Sequence, residues 1–159
     1  LQKFNIIHGD IKLENIIIDY KNDIKLIDFG ISKQLDGGKA ISLKNHSGTI
    51  GYLSPEWLLF NYATLKTDIW SVGILYFILL NNSHVFNTVN LDAYKSQLQE
   101  LDNLDLPDTL KIYNKTVPPN KYKLIYMFLY NTICYDKERY SVKRCLRSKI
   151  FAYYNNIMV

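Results

Sequence analysis

Cysteine, proline and glycine are scarce in this chain, at two, four and seven residues of 159. Cys134 and Cys145 are not closely spaced, and the three histidines stand far apart. That excludes a recognisable zinc site and a disulfide framework, and it fits a reducing cytoplasmic or nuclear setting. Long hydrophobic runs are missing too. The longest apolar stretch, "IWSVGILYFILL" at residues 69–80, falls short of the ~20 residues needed to cross a bilayer, so no membrane partner is expected. No block of like charges accompanies the net charge of +4, so nucleic acid is not an expected partner either. Residue 1 is Leu rather than Met, and no apolar stretch precedes a cleavage site. A signal peptide is therefore not expected, and a fragment of a longer chain is.

What is present suits one globular domain: 48% of residues are hydrophobic and 21% charged. "NIIIDYKNDIKLIDFG" at 15–30 reads as two β-branched strands, Ile16–Ile18 and Ile24–Ile27, around a polar turn at Tyr20–Asp23. Residues 31–48, rich in Gly, Ser, Lys and Asn without periodicity, predict a mobile loop. "SPEWLLF" at 54–60 predicts a short helix with Pro55 in its first turn. The run 67–80 predicts a buried helix with Thr67 as N-cap and Asp68 near the positive end of its dipole. Further helices are expected at 91–100, 121–134 and 140–154, with an irregular segment at 101–120 that contains Pro107, Pro118 and Pro119. The fold class is mainly α with a short β-ribbon (α+β).

Four short motifs occur in a telling order: "HGDIKLEN" at 8–15, "DFG" at 28–30, "GTIGYLSPE" at 48–56 and "DIWSVGILY" at 68–76. Asn15 stands thirteen residues before Asp28, and Glu56 twelve before Asp68. A fifth, "YDKERYSVKRCL", follows at 135–146. Each alone is weak; in this order they resemble the C-terminal lobe of a eukaryotic protein kinase, over nearly the whole chain.

The resemblance implies a protein serine/threonine kinase whose domain covers 1–159 and whose activation segment is 28–56. ATP and Mg2+ are the implied cofactors, and a protein substrate the implied partner. Phosphoryl transfer relies on positioning and charge neutralisation. Asp10 matches the catalytic Asp that orients the substrate hydroxyl and takes its proton, and Lys12 the Lys that neutralises the transferring phosphoryl. Asn15 and Asp28 match the two magnesium ligands, a neutral carbonyl oxygen and a carboxylate. Lys12 and Thr49 together favour Ser/Thr over Tyr specificity. Glu14 matches a residue that can read a basic substrate side chain, or is a solvated carboxylate. Glu56 and Arg139 resemble a buried ion pair, and Asp68 a helix-start acid that holds the catalytic loop. His8 and Phe29, next to Gly30, would stack. Ile17 would face the nucleotide, with Leu75 and Leu79 continuing its apolar column.

Departures from the family pattern carry expectations of their own. Gly9 stands where the family has Arg, which removes the usual contact to a phosphorylated activation loop. Leu13 and Lys137 each replace a Pro. Residues 101–120 look longer than usual. No glycine-rich loop and no strand Lys with a helix Glu partner are present, so residues 1–159 by themselves are expected to bind ATP poorly, and helix 67–80 to lack part of its packing. A pseudokinase or scaffold that binds a partner without phosphoryl transfer is the alternative.

Overall fold

A turn built by one aspartate sets the first element pair. In the computed structural model, Asp19 Oδ1 accepts hydrogen bonds from the N–H groups of Lys21 (2.8 Å) and Asp23 (3.0 Å). Asn22 takes the left-handed conformation at φ +63°, which Asn tolerates better than most residues. The turn joins β2 (Ile16–Ile18) to β3 (Ile24–Leu26) in an antiparallel hairpin with Ile16 opposite Leu26. The structure describes residues 1–38, 40–45, 47–86, 90–104, 106 and 119–155.

Two further ladders are made by residues distant in sequence. β1 (Ile6–Ile7) pairs antiparallel with β4 (Lys33–Gln34), and Leu35 extends the ladder by donating to the Asn5 carbonyl at 2.8 Å. β5 (Ile41–Ser42) pairs with β6 (Tyr62–Ala63), and Leu43 donates to the Asn61 carbonyl at 2.8 Å. The stretch 31–48 therefore departs from the mobile loop its composition suggested: its described residues are tied to the body at two places. Two-residue strands leave no periodicity to read, because their partners lie elsewhere in the chain.

The helices form the bulk of the core. α1 (Pro55–Leu58) is capped by Ser54, whose side chain accepts from the Trp57 N–H. α2 (Thr67–Asn81) buries residues nearly all round its axis, including Trp70, Ile74 and Phe77. It ends at Asn82, which adopts a left-handed cap at φ +51°. Thr67 is its first helical residue rather than its N-cap; its hydroxyl is committed to Glu56 and to the Thr64 N–H. α3 (Leu91–Gln99) starts at Asn90, whose side chain accepts from the Ala93 N–H. Tyr94 from α3 is buried and donates from its hydroxyl to the Leu53 carbonyl.

α4 (Pro119–Tyr130) begins two residues earlier than its apolar pattern suggested, with Pro119 opening the helix instead of interrupting it. The helix expected over 140–154 is two, α5 (Val142–Leu146) and α6 (Lys149–Asn155), separated where Ser148 closes a tight turn onto the Cys145 carbonyl at 2.9 Å. The long segment expected at 101–120 resolves as a 3-10 turn at Leu101–Asn103, and its positions 105 and 107–118 lie outside the described residues. Val72, Tyr76 and Leu79 of α2 are incompletely covered, Leu79 being 64% exposed. Among the described residues no helix is long and apolar enough to cross a membrane.

Candidate active site

The segment from His8 to Asn15 is a loop held from beneath by one partly buried acid. Asp68, in the first turn of α2, accepts from the backbone N–H of His8 (2.8 Å) and of Gly9 (3.0 Å) through its two oxygens. Burial pushes the Asp68 carboxyl above its ordinary value, and the two N–H groups oppose that shift. From the other side, Ser32 donates its hydroxyl to the His8 carbonyl at 3.0 Å. The His8 ring is fully buried: Nδ1 accepts from the Asp10 N–H, so Nε2 carries the proton and donates to the Ile27 carbonyl at 3.1 Å. The ring also meets Phe29 at 4.7 Å, tilted by 57° rather than stacked flat.

This support presents four polar side chains to one another. Thr49 Oγ1 donates to Asp10 Oδ1 at 2.8 Å and accepts from Lys12 Nζ at 2.7 Å. Lys12 Nζ lies 2.8 Å from Asp10 Oδ2. Asn15 Nδ2 donates to the Asp10 carbonyl at 2.8 Å and to Asp10 Oδ2 at 3.0 Å. Partial burial pushes the Asp10 carboxyl up, but the bonds from Lys12 and Thr49 and the lysine's charge outweigh it and hold the carboxyl below its ordinary value. Lys12 moves the other way: its bond to Asp10 raises it against burial, and the charges of Asp10, Glu14 and Asp28 add to the rise. Asp10 is therefore an ionised acceptor and Lys12 a fixed cation at neutral pH.

The β2–β3 hairpin brings the next acid round. Ile27 donates its N–H to the Asn15 carbonyl at 3.0 Å, so Asp28 follows directly on the residue bonded to Asn15. Asp28 sits in the left-handed region at φ +60°, and its Oδ1 accepts from the Gly30 N–H at 3.2 Å. Such a conformation is strained for a residue other than Gly and concentrates at functional sites. Because Asn15 Nδ2 is committed to Asp10, its Oδ1 is left without a hydrogen bond among the described residues. With the Asp28 carboxylate it offers a neutral and an anionic oxygen, a donor pair suited to a hard divalent cation that keeps waters and phosphate oxygens as its other ligands. No cluster of three or more His, Cys, Asp or Glu fit for a metal occurs among the described residues.

The remaining site residues named from sequence divide into buried and exposed. Arg139 makes two bonds to Glu56, Nη1 to Oε1 at 2.5 Å and Nη2 to Oε2 at 2.9 Å, both side chains being almost fully buried. The guanidinium also donates to the Cys134 and Lys66 carbonyls and lies over the Trp70 ring at 5.1 Å. Glu14 is exposed, Ile17 is 47% exposed on its strand, and of the two apolar α2 positions Leu75 is buried whereas Leu79 is not. The sequence did not signal Ser32, whose contact with His8 spans 24 positions, nor the place of Trp57. That ring is 1% exposed and lies directly against Gly9, where an added β-carbon would stand 2.9 Å from it.

Comparison with known proteins places the chain in a family. Residues 1–151 match the family model described as protein kinase domain. Among curated proteins, calcium-dependent protein kinase 4 of Plasmodium falciparum is 37% identical over 131 residues, covering 79% of this chain and 24% of the relative. The Aurora kinase of Eremothecium gossypii is 42% identical over 105 residues, covering 65% of this chain and 28% of its own length. Serine/threonine-protein kinase gad8 of Schizosaccharomyces pombe is 37% identical over 111 residues, covering 69% of this chain and 19% of its own. The chain thus spans between about a fifth and somewhat over a quarter of these relatives. With a match that runs from its first residue to Phe151, the chain belongs to the protein kinase domain family.

Proposed function

We propose that residues 1–159 form the C-terminal lobe of a protein serine/threonine kinase, with 28–56 as its activation segment. In this reading it transfers the γ-phosphoryl of ATP to Ser or Thr hydroxyls of a protein substrate when joined to an N-terminal lobe. The observation that carries the reading is the closed cluster of Asp10, Lys12, Thr49 and Asn15. Asp10, kept ionised, accepts a hydrogen bond and then the proton from the substrate hydroxyl. Lys12 neutralises charge that develops on the transferring group. Thr49 bridges the two and sets their separation, the part expected for Ser/Thr substrates. Asn15 and Asp28 supply the oxygens for magnesium, which with ATP provides the transferable phosphoryl group and further charge neutralisation.

Other residues position these. Asp68 and His8 hold the loop backbone, Phe29 and Gly30 shape the turn beside Asp28, and the Glu56–Arg139 pair anchors the far end of the activation segment. Ile17 is assigned to the adenine side of the cleft and Glu14 to a basic substrate side chain. Both are exposed, which suits surfaces that meet ligand.

The test is a Mg-ATP assay of the full natural chain with a generic Ser/Thr protein substrate. Asp10→Asn should lower the rate by about 10²–10⁴-fold, the usual contribution of a positioned base. Equal rates for the two would instead favour a partner-binding module without transfer. Residues 1–159 alone should phosphorylate negligibly, since no glycine-rich loop or strand Lys occurs in them.

A further inference from the structure

Four cationic side chains border a groove formed by helices that contribute nothing to the Asp10 cluster. Lys123 of α4 stands on one wall, and Arg144, Arg147 and Lys149 on the other, along the α5–α6 turn. Among the described residues no carboxylate lines the groove, and none of the four cations forms an ion pair. Like charges gathered without a counter-charge repel one another and destabilise the compact state. The floor between them is apolar: Ile150 and Phe128 are buried beneath it, and Met127 is half exposed. The groove encloses about 540 Å³, within the ~300–1,000 Å³ typical of sites for small ligands.

Two details give it a polar end. The Arg144 guanidinium lies 4.2 Å from the centre of the Tyr140 ring, which fixes its plane beside the opening. Ser148, in the α5–α6 turn, carries a buried hydroxyl with no hydrogen-bond partner among the described residues. A buried hydroxyl left unmatched is unfavourable, and a bound oxygen would satisfy it.

We propose that this groove binds a small anion with an apolar body, of which a medium-length acyl carboxylate is the simplest form. The negative head pairs with Arg144, Arg147 and Lys149, with the Ser148 hydroxyl as a donor, and the chain lies over Met127 towards Lys123. The concave shape and the volume suit a single free molecule rather than a bilayer, which meets convex or flat surfaces.

Isothermal titration of the full natural chain with decanoate tests this, with decan-1-ol supplying the tail without charge and acetate the charge without tail. Saturable one-to-one binding is expected for decanoate and no comparable binding for the other two. Charge reversal of two exposed residues, Arg144→Glu with Arg147→Glu, should weaken decanoate by roughly tenfold or more, the scale of a lost charge-assisted hydrogen bond. Met127→Trp should fill the floor and abolish binding; if that variant does not fold, the charge-reversed pair decides. Binding of decanoate no tighter than of decan-1-ol or acetate would overturn the proposal. So would unchanged affinity in the charge-reversed pair, or association only with anionic phospholipid vesicles.

Discussion

Gly9 is where one residue changes how the candidate site could be regulated. Its backbone lies at φ +83°, and a β-carbon would come within 2.9 Å of the Trp57 ring and 3.5 Å of Ile31. Gly48, in the activation segment, is as tightly placed: a β-carbon there would meet Leu53 at 2.6 Å and the Gly9 carbonyl at 3.4 Å. Trp57 and Ile31 thus form an apolar wall where a β-carbon at position 9 would stand, and no other side chain fits there without strain. Gly9→Arg should lower stability by about 1–3 kcal/mol from overpacking and by about 1–2 kcal/mol from left-handed backbone, read by chemical denaturation of the full chain. The same reading makes loop phosphorylation dispensable, so Ser42→Ala and Ser47→Ala should keep kinase activity close to that of the natural protein. Loss of activity in either would show that a phosphate switch operates despite Gly9.

At the scale of elements, α2 is the axis on which the site rests. Its first turn supplies Asp68 to the loop, and its middle packs Trp70 and Ile74 and meets the chain just beyond α4. That last contact depends on Gly73, where a β-carbon would lie 2.5 Å from Thr132 Oγ1 and 2.9 Å from its Cβ. Thr132 cannot easily turn away, because its hydroxyl donates to the Phe128 carbonyl (2.9 Å) and lies 3.2 Å from that of Leu129. Ala is the better helix former by about 1 kcal/mol, yet overpacking at such a contact costs about 1–3 kcal/mol. Gly73→Ala should therefore lower stability in a denaturant titration, whereas a gain near the propensity difference would mean that the two elements separate freely here.

Across the whole molecule, the Glu56–Arg139 pair joins residues 83 positions apart and ties α1 to the segment before α5. Its lone pairs and donors are satisfied by Thr67, Lys66 and Cys134, and Trp70 covers the guanidinium. Removing one partner leaves a buried charge uncompensated, so Arg139→Met should lose about 3–5 kcal/mol. Replacing both by apolar residues, Glu56→Leu with Arg139→Met, should lose less than the single change, because no charge is stranded. Equilibrium unfolding of the four proteins of that cycle measures it; a single variant within ~1 kcal/mol of the natural chain would show that water reaches the pair.

Much of the site could be read from the sequence because its members are close along the chain or follow a fixed order. The turn at Tyr20–Asp23 comes from Asp and Asn chemistry, and most of α2 from the mainly apolar run at 69–80. Asp10, Lys12 and Asn15 lie within one loop, so their proximity was legible before any packing was known. The two-residue ladders were not, since each depends on a partner far away in sequence; nor were the local turn that separates α5 from α6 and the shift of Thr67 from cap to helix. The ionised state of Asp10, the wall against Gly9 and the cationic groove belong to the tertiary structure alone. Local conformation follows from side chains a few positions apart, whereas burial, charge balance and the space left for a β-carbon are set by elements that meet only when the chain has folded.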